Sequence, residues 1–301
     1  MNISKRFFII ILTVLFVFSA MSMASDSDFE CLEERIKFDR EIVQRIANGE
    51  DILYDEDGIT ILFLWENDGE ISPHWGSQGS AKVHQWMVSR ALAVLENDFG
   101  YWVTDPFYAG GHIGQMMAGA DWPDIWETDG LSFAGHFYNP TTGRNYMGQT
   151  SPTAKIRFEQ WSDQARNHWN SNRALALHYL GCSLHYLSDL SAPHHVHNHT
   201  ALDSDHTAFE DWADANRNNY RLINGNQYHI GGSWNVMRAN IANGCAYATY
   251  YDSTFILDQS HPDRDVYRLL NWGSTANNTL KHGQNYMAAF LYRFLQTVGE
   301  I

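Results

Sequence analysis

Between Ala81 and Asn97 apolar residues recur at Val83, Met87, Ala91 and Leu95, the four-residue step that gathers side chains on one face of a helix. Ile156, Trp161, Ala165 and Trp169 predict a second helix, and Ala174 to Leu190 a third that is densely apolar. Ser204 or Asp205 stands where it can cap a helix through Phe209 and Ala213. Val236, Ile241, Cys245 and Ala248 mark another helix, and Leu280, Met287, Leu291, Phe294 and Val298 the last. Period-two alternation is scarce. The pattern predicts an all-α, single multi-helix domain over 75–301. Its long, polar, Gly-rich connections fall at 100–153 and 225–233.

Two segments precede that body. Lys5 and Arg6 lead into Phe7–Ala20, an uncharged, mostly apolar stretch, and Ser22-Met23-Ala24 follows as a small-x-small site. This reads as a signal peptide over 1–24, too short in its apolar part for a spanning helix of roughly 20 residues, and it predicts secretion, to the outside or to a periplasm. Residues 25–74 combine a helix around Cys31–Ile46 with an apolar run, Ile59–Trp65, bounded by Asp57-Gly58 and Asn67-Asp68-Gly69. A helix and a short strand or two make a poor independent domain. The segment is read as an acidic propeptide, with a permanently attached subdomain as the alternative.

Charge and cysteine content narrow the function. The formal net charge is −15; residues 1–74 carry 6 Lys/Arg against 15 Asp/Glu, and 75–301 carry 14 against 20. No basic stripe is present to track a phosphate backbone, so nucleic acid is not an expected partner. Three cysteines make no disulfide framework. Cys182 and Cys245 either pair or remain buried thiols.

Candidate chemistry lies in nine residues: Trp75, His84, Asp121, His136, His185, Asp189, His195, His206 and Glu210. His185 and Asp189 are four apart, as are His206 and Glu210, so each pair projects from one helical face. Imidazole and carboxylate without cysteine suit a hydrolytic zinc site that keeps a position for water. His185 and Asp189 also sit in a stretch apolar enough to be core. A buried carboxylate there is costly without a partner, and a metal removes that cost. His194, His197 and His199 crowd the turn, where register against Pro193 favours His195, and His178, seven before His185 on the same face, reads as core packing or a neighbour of the ligands.

From Trp75 to about Tyr220 the chain resembles the bacterial zinc-dependent phospholipases C, the family that includes the alpha-toxin type. Trp75, His84 and Leu95-Glu96-Asn97-Asp98 match its opening helix. Ala120-Asp121-Trp122 and the run Phe133 to Pro140 match its loop ligands. Tyr179-Leu180-Gly181, His185 through Asp189, Pro193, His195, Asn198 and Thr200 match its central helix and turn, and Asp203-Ser204 with His206 and Glu210 its final pair.

The resemblance implies three zinc ions. Asp121, His136 and His185 would bind one, with Asp189 bridging to a second held also by His84 and the α-amino nitrogen and carbonyl oxygen of Trp75. His195, His206 and Glu210 would hold the third. Because an amide cannot serve as that amine ligand, cleavage between His74 and Trp75 by a processing protease is expected to activate the enzyme. Asp121 is the expected residue to orient or deprotonate the attacking water, or else only a ligand. The substrate would be a phosphatidylcholine-like phospholipid at a membrane surface, cleaved to diacylglycerol and a phosphorylated head group, by a monomer. Trp122 and Phe133 are the expected aromatic contacts for the head group. Gln78 stands where some members place a carboxylate, which puts a choline preference in doubt. The toxins' C-terminal lipid-binding domain is not expected, so membrane contact is assigned to exposed loops such as that around Trp102 and Phe107. The main alternative is a single-strand-specific zinc nuclease of the same fold. The nine-residue step from Trp75 to His84, the short gap from His195 to His206 and a final Glu210 argue against it. A zinc-stabilised lipid-binding protein without turnover is the non-catalytic alternative.

Overall fold

The computed structural model describes residues 26–63, 83–127, 129–260 and 265–301. In chain order these form α1 (Asp26–Ala47), β1 (Ile52–Tyr54), β2 (Ile61–Phe63), α2 (Val83–Phe99), α3 (Asp105–Tyr108), α4 (Ile113–Trp126), α5 (Gly130–Phe133), α6 (Ala154–His168), α7 (Arg173–Asp189), α8 (Pro193–His197), α9 (His206–Asn216), α10 (Trp234–Tyr251), β3 (Phe255–Asp258), β4 (Val266–Leu269) and α11 (Trp272–Val298). The strands make two antiparallel hairpins, with Leu53 opposite Leu62 and Leu257 opposite Tyr267. The remaining described residues are helix and connection, as the periodicity predicts.

α7 is the axis of the domain. Asn172 opens it by accepting a hydrogen bond from the Leu175 amide, and Leu180 to Asp189 is buried without interruption. A helix buried on all sides needs neighbours on all sides, and α7 packs against α4 and α6, with α2 and α11 beyond. The closest approach is at Gly119 and Gly181. A Cβ built on Gly181 would lie 2.1 Å from the Met116 carbonyl oxygen, and one on Gly119 2.2 Å from that of His178. Only glycine lets the α4 and α7 backbones touch.

α4 lies within 100–153, expected to be a long connection. Its residues are apolar on nearly every side and include Gly114, Gly119 and Pro123, so no amphipathic period announces it. The capping expectation is also revised. Asp205 stands at the start of α9 without capping it; its carboxylate instead meets His194 Nε2 and accepts from the Leu269 amide and Trp272 Nε1.

The N-terminal segment is packed into the body. Ile42, Val43, Ile46, Ile52 and Tyr54 join the common core. Arg40 pairs with Glu96 at 2.6 Å and Asp105 at 2.7 Å, and Asp51 with Arg217 at 3.0 Å. The Gln85 side chain reads both backbone groups of Tyr54, accepting from its amide and donating to its carbonyl, each at 2.8 Å. Cys182 and Cys245 are buried free thiols. Trp102 is exposed beside Tyr101, whereas Phe107 is fully buried, so of the two residues named for membrane contact only Trp102 reaches the surface. No helix among the described residues is long and apolar enough to cross one.

Candidate metal centre

Six short stretches converge on one buried spot. α7 supplies His185 and, one turn on, Asp189 at its last position. Pro193 cannot continue that helix and opens α8, which carries His195. α9 starts at His206 and adds Glu210 one turn later. His84 is the second residue of α2, Asp124 sits near the end of α4, and His136 closes a single 3₁₀ turn, Ala134–His136.

The side chains form three groups: His84, Asp124 and His185; His136, His185 and Asp189; His195, His206 and Glu210. Asp124 lies 3.3 Å from His84 Nε2, 3.4 Å from His185 Nε2 and 3.6 Å from His136 Nδ1. Asp189 spans two groups, one oxygen 3.0 Å from His136 Nδ1 and the other 3.2 Å from His195 Nδ1. Glu210 Oε1 is 2.5 Å from His206 Nε2 and 3.4 Å from His195 Nε2.

Two contacts test whether metal ions fit. His185 Nε2 meets His136 Nδ1 at 3.0 Å, and His195 Nε2 meets His206 Nε2 at 3.2 Å. Pairs of buried ring nitrogens pointed at each other, with a carboxylate oxygen beside each pair, are a donor set for a divalent cation. His185 Nδ1 faces the Ala120 carbonyl at 2.7 Å. Donation there places its proton on Nδ1 and leaves the Nε2 lone pair for a metal. The residues fit zinc.

Charge is redistributed among the side chains of the cluster. Burial lowers the pKa of His84, yet Asp124 outweighs it and carries it to about 9. Burial likewise opposes His195, and Asp189 and Glu210 lift it to about 10. For His185, burial and the neighbouring His84 win, and it falls to about 3. Burial disfavours an ionised Asp124, but the surrounding imidazoles pull it down to about 2; Asp189 and Glu210 are lowered for the same reason.

The structure therefore brings together His84, His136, His185, Asp189, His195, His206 and Glu210, as expected from the sequence. Asp121 is the exception: it lies outside all three groups, and its carboxylate accepts from Gln85 Nε2 at 2.7 Å. Asp124 stands in the place assigned to it. In a helix, residues three apart differ by about 60° in direction, and the glycine contact between α4 and α7 turns Asp124, not Asp121, toward His185. The readable signal was Pro123-Asp124 followed by His136; it carries weight only once 113–126 is known to be helical. Trp75 and Gln78 lie outside the described residues. Phe133 sits beside the cluster, 5.5 Å from the His136 ring. Trp122 points elsewhere, edge-on to Trp161 and His178, in a depression it shares with Glu56 and Asp57. His178 is thus a packing residue, and His194 stacks on the His206 ring at 4.9 Å.

A family model described as zinc dependent phospholipase C matches residues 83–259. A phospholipase C of Bacillus cereus is 26% identical over 203 residues, 60% of this chain and 67% of its own length. One from Paraclostridium bifermentans is 27% identical over 268 residues, 80% of this chain and 65% of its own. Among solved structures, the alpha toxin from Clostridium absonum superposes with a TM-score of 0.61 at 23% identity, covering 76% of this chain and 66% of the toxin. The chain thus spans about two thirds of the length of these relatives.

Proposed function

This chain belongs to the zinc-dependent phospholipase C family, and on that premise we propose that it hydrolyses the phosphodiester of glycerophospholipids, releasing diacylglycerol and a phosphorylated head group. The observation that carries the proposal is the convergence of Asp124, Asp189 and Glu210 with His84, His136, His185, His195 and His206 in three adjoining groups. Three zinc ions are proposed, one per group, with His185 facing two groups and Asp189 bridging toward His195. Bound zinc would supply positive charge for the phosphate oxygens and a water of lowered pKa.

The chain's own residues divide the remaining work. Asp124 is 15% exposed against 1% for Asp189 and 5% for Glu210. It is the cluster carboxylate that water reaches best, so the role of orienting the attacking water passes to it from Asp121. Ala120 holds the His185 tautomer through its carbonyl. Phe133, half exposed next to His136, offers a ring face to a quaternary ammonium. Trp75, freed by cleavage after His74, is proposed as a further ligand through its terminal amine, and Gln78 as a head-group contact. Secretion, processing by a protease and a monomeric state complete the proposal.

The test is phosphate-ester release from phosphatidylcholine by the zinc-loaded protein, before and after chelation, beside single-stranded DNA as substrate. Chelator-sensitive lipid turnover with intact DNA is the expected result. DNA cleavage without lipid turnover refutes it in favour of the nuclease.

A further inference from the structure

The residues around the mouth of the cluster carry an apolar, nearly uncharged surface on an acidic protein. Leu131 is 62% exposed, Met147 45% and Phe133 38%. They are brought together by one contact: the Tyr146 hydroxyl donates to the Gly130 carbonyl at 3.0 Å, and the Tyr146 ring lies 6.4 Å from that of Phe133. Phe133 in turn borders His136, so the surface is continuous with the site. Between residues 129 and 153 the only Asp, Glu, Lys or Arg side chains are Asp129 and Arg144, of opposite sign, while the whole chain stands at −15. Both are engaged locally, Asp129 capping Leu131 and Ser132 and Arg144 donating to the Gly148 carbonyl.

We propose that Leu131 and Met147, flanking Phe133, form the face by which this protein docks on a zwitterionic phospholipid bilayer. The inference rests on the phospholipase reading above and adds where and how the membrane is met. Side chains with few charges beside them insert by apolar burial rather than by attraction to anionic lipid, and the negative chain is repelled by an anionic surface. Tyr101 and Trp102, another exposed pair at 59% and 57%, are poor candidates. They lie beyond the far end of α2, about 22 Å along the helix from His84.

The zinc-loaded protein with Leu131→Asp and Met147→Asp is to be compared with Trp102→Asp and the parent in two assays. These are co-sedimentation with phosphatidylcholine vesicles, and hydrolysis of those vesicles beside a short-chain phosphatidylcholine held monomeric in solution. The double variant is expected to lose vesicle binding and vesicle hydrolysis by about tenfold per residue, with short-chain turnover and melting temperature unchanged and Trp102→Asp like the parent. Vesicle binding that survives the double variant, falls instead in Trp102→Asp, or appears only when anionic lipid is mixed in would overturn the docking face. So would a double variant that folds but loses short-chain turnover in proportion. A parent that binds vesicles yet hydrolyses neither substrate refutes the phospholipase reading and leaves the docking face standing.

Discussion

Ile46→Ala tests whether the N-terminal segment is a detachable appendage or part of the folding unit. Ile46 is 2% exposed and Ile42, one turn earlier on α1, 1%; both belong to the core shared with α2 and α4. Truncating a buried isoleucine to alanine costs about 2–5 kcal/mol through lost transfer energy and the cavity left behind. For a domain of this size each kcal/mol shifts the midpoint by roughly 2–4 °C, so a fall of about 4–20 °C is expected. Polar contacts reinforce the coupling, because unseating α1 and β1 would strand the Gln85 side chain and the Glu96 carboxylate and cost Arg217 one of its two carboxylate partners. The assay is thermal unfolding followed by circular dichroism, on the zinc-loaded full chain and again after proteolysis within 64–74. One transition displaced by that amount, with residues 26–63 co-eluting with the body after cleavage, is the expected result. A midpoint unchanged to within about 1 °C would show that α1 lies outside the cooperative unit, and the packing argument would fail.

Asp124→Asn is expected to lower zinc content and cut lipid turnover at least about a hundredfold, while Asp121→Asn, which keeps an acceptor for Gln85, stays within about 1 kcal/mol of the parent; metal analysis and initial rates separate the two. Gly181→Ala forces a methyl group against the Met116 carbonyl and is expected to destabilise the fold by several kcal/mol, roughly 1–3 or more, measured by urea unfolding. Zinc uptake by the chelated protein at pH 7 should release at least two protons, from His84 and His195, whose metal-free pKa values stand at about 9 and 10, with His136, also raised against its burial by Asp189, adding to them. Because those values are raised above the unfolded 6.5, the stability these two imidazoles lend the metal-free fold is full below pH 6.5 and lost as pH rises through 9 to 10. Zinc affinity should accordingly climb with pH over that range, as titration in weak buffer will show.

Most of the centre was legible because its pairs sit on strongly patterned helices. His185 with Asp189 and His206 with Glu210 need only the helical repeat to share a face, and Pro193 ends α7 and opens α8, which carries His195 between them. The failure at Asp121 has the same root. α4 is buried on nearly all sides and broken in pattern by Gly119 and Pro123, so periodicity could not say that it was a helix, still less which carboxylate faced inward. Trp122 faces Trp161 and His178 instead, whereas Phe133, only three positions of chain from His136, lies beside the cluster.

By itself the amino-acid order determined the helical class, the ligand chemistry and every contact that spans a single turn, since these follow from spacing along one element. Tertiary packing alone decided that Asp124 meets His185, that Ala120 sets its tautomer, and that residues 26–63 share the core of the body. Those outcomes depend on how two backbones approach at Gly119 and Gly181 and on which apolar faces remain to be covered, and neither quantity is a property of any one segment.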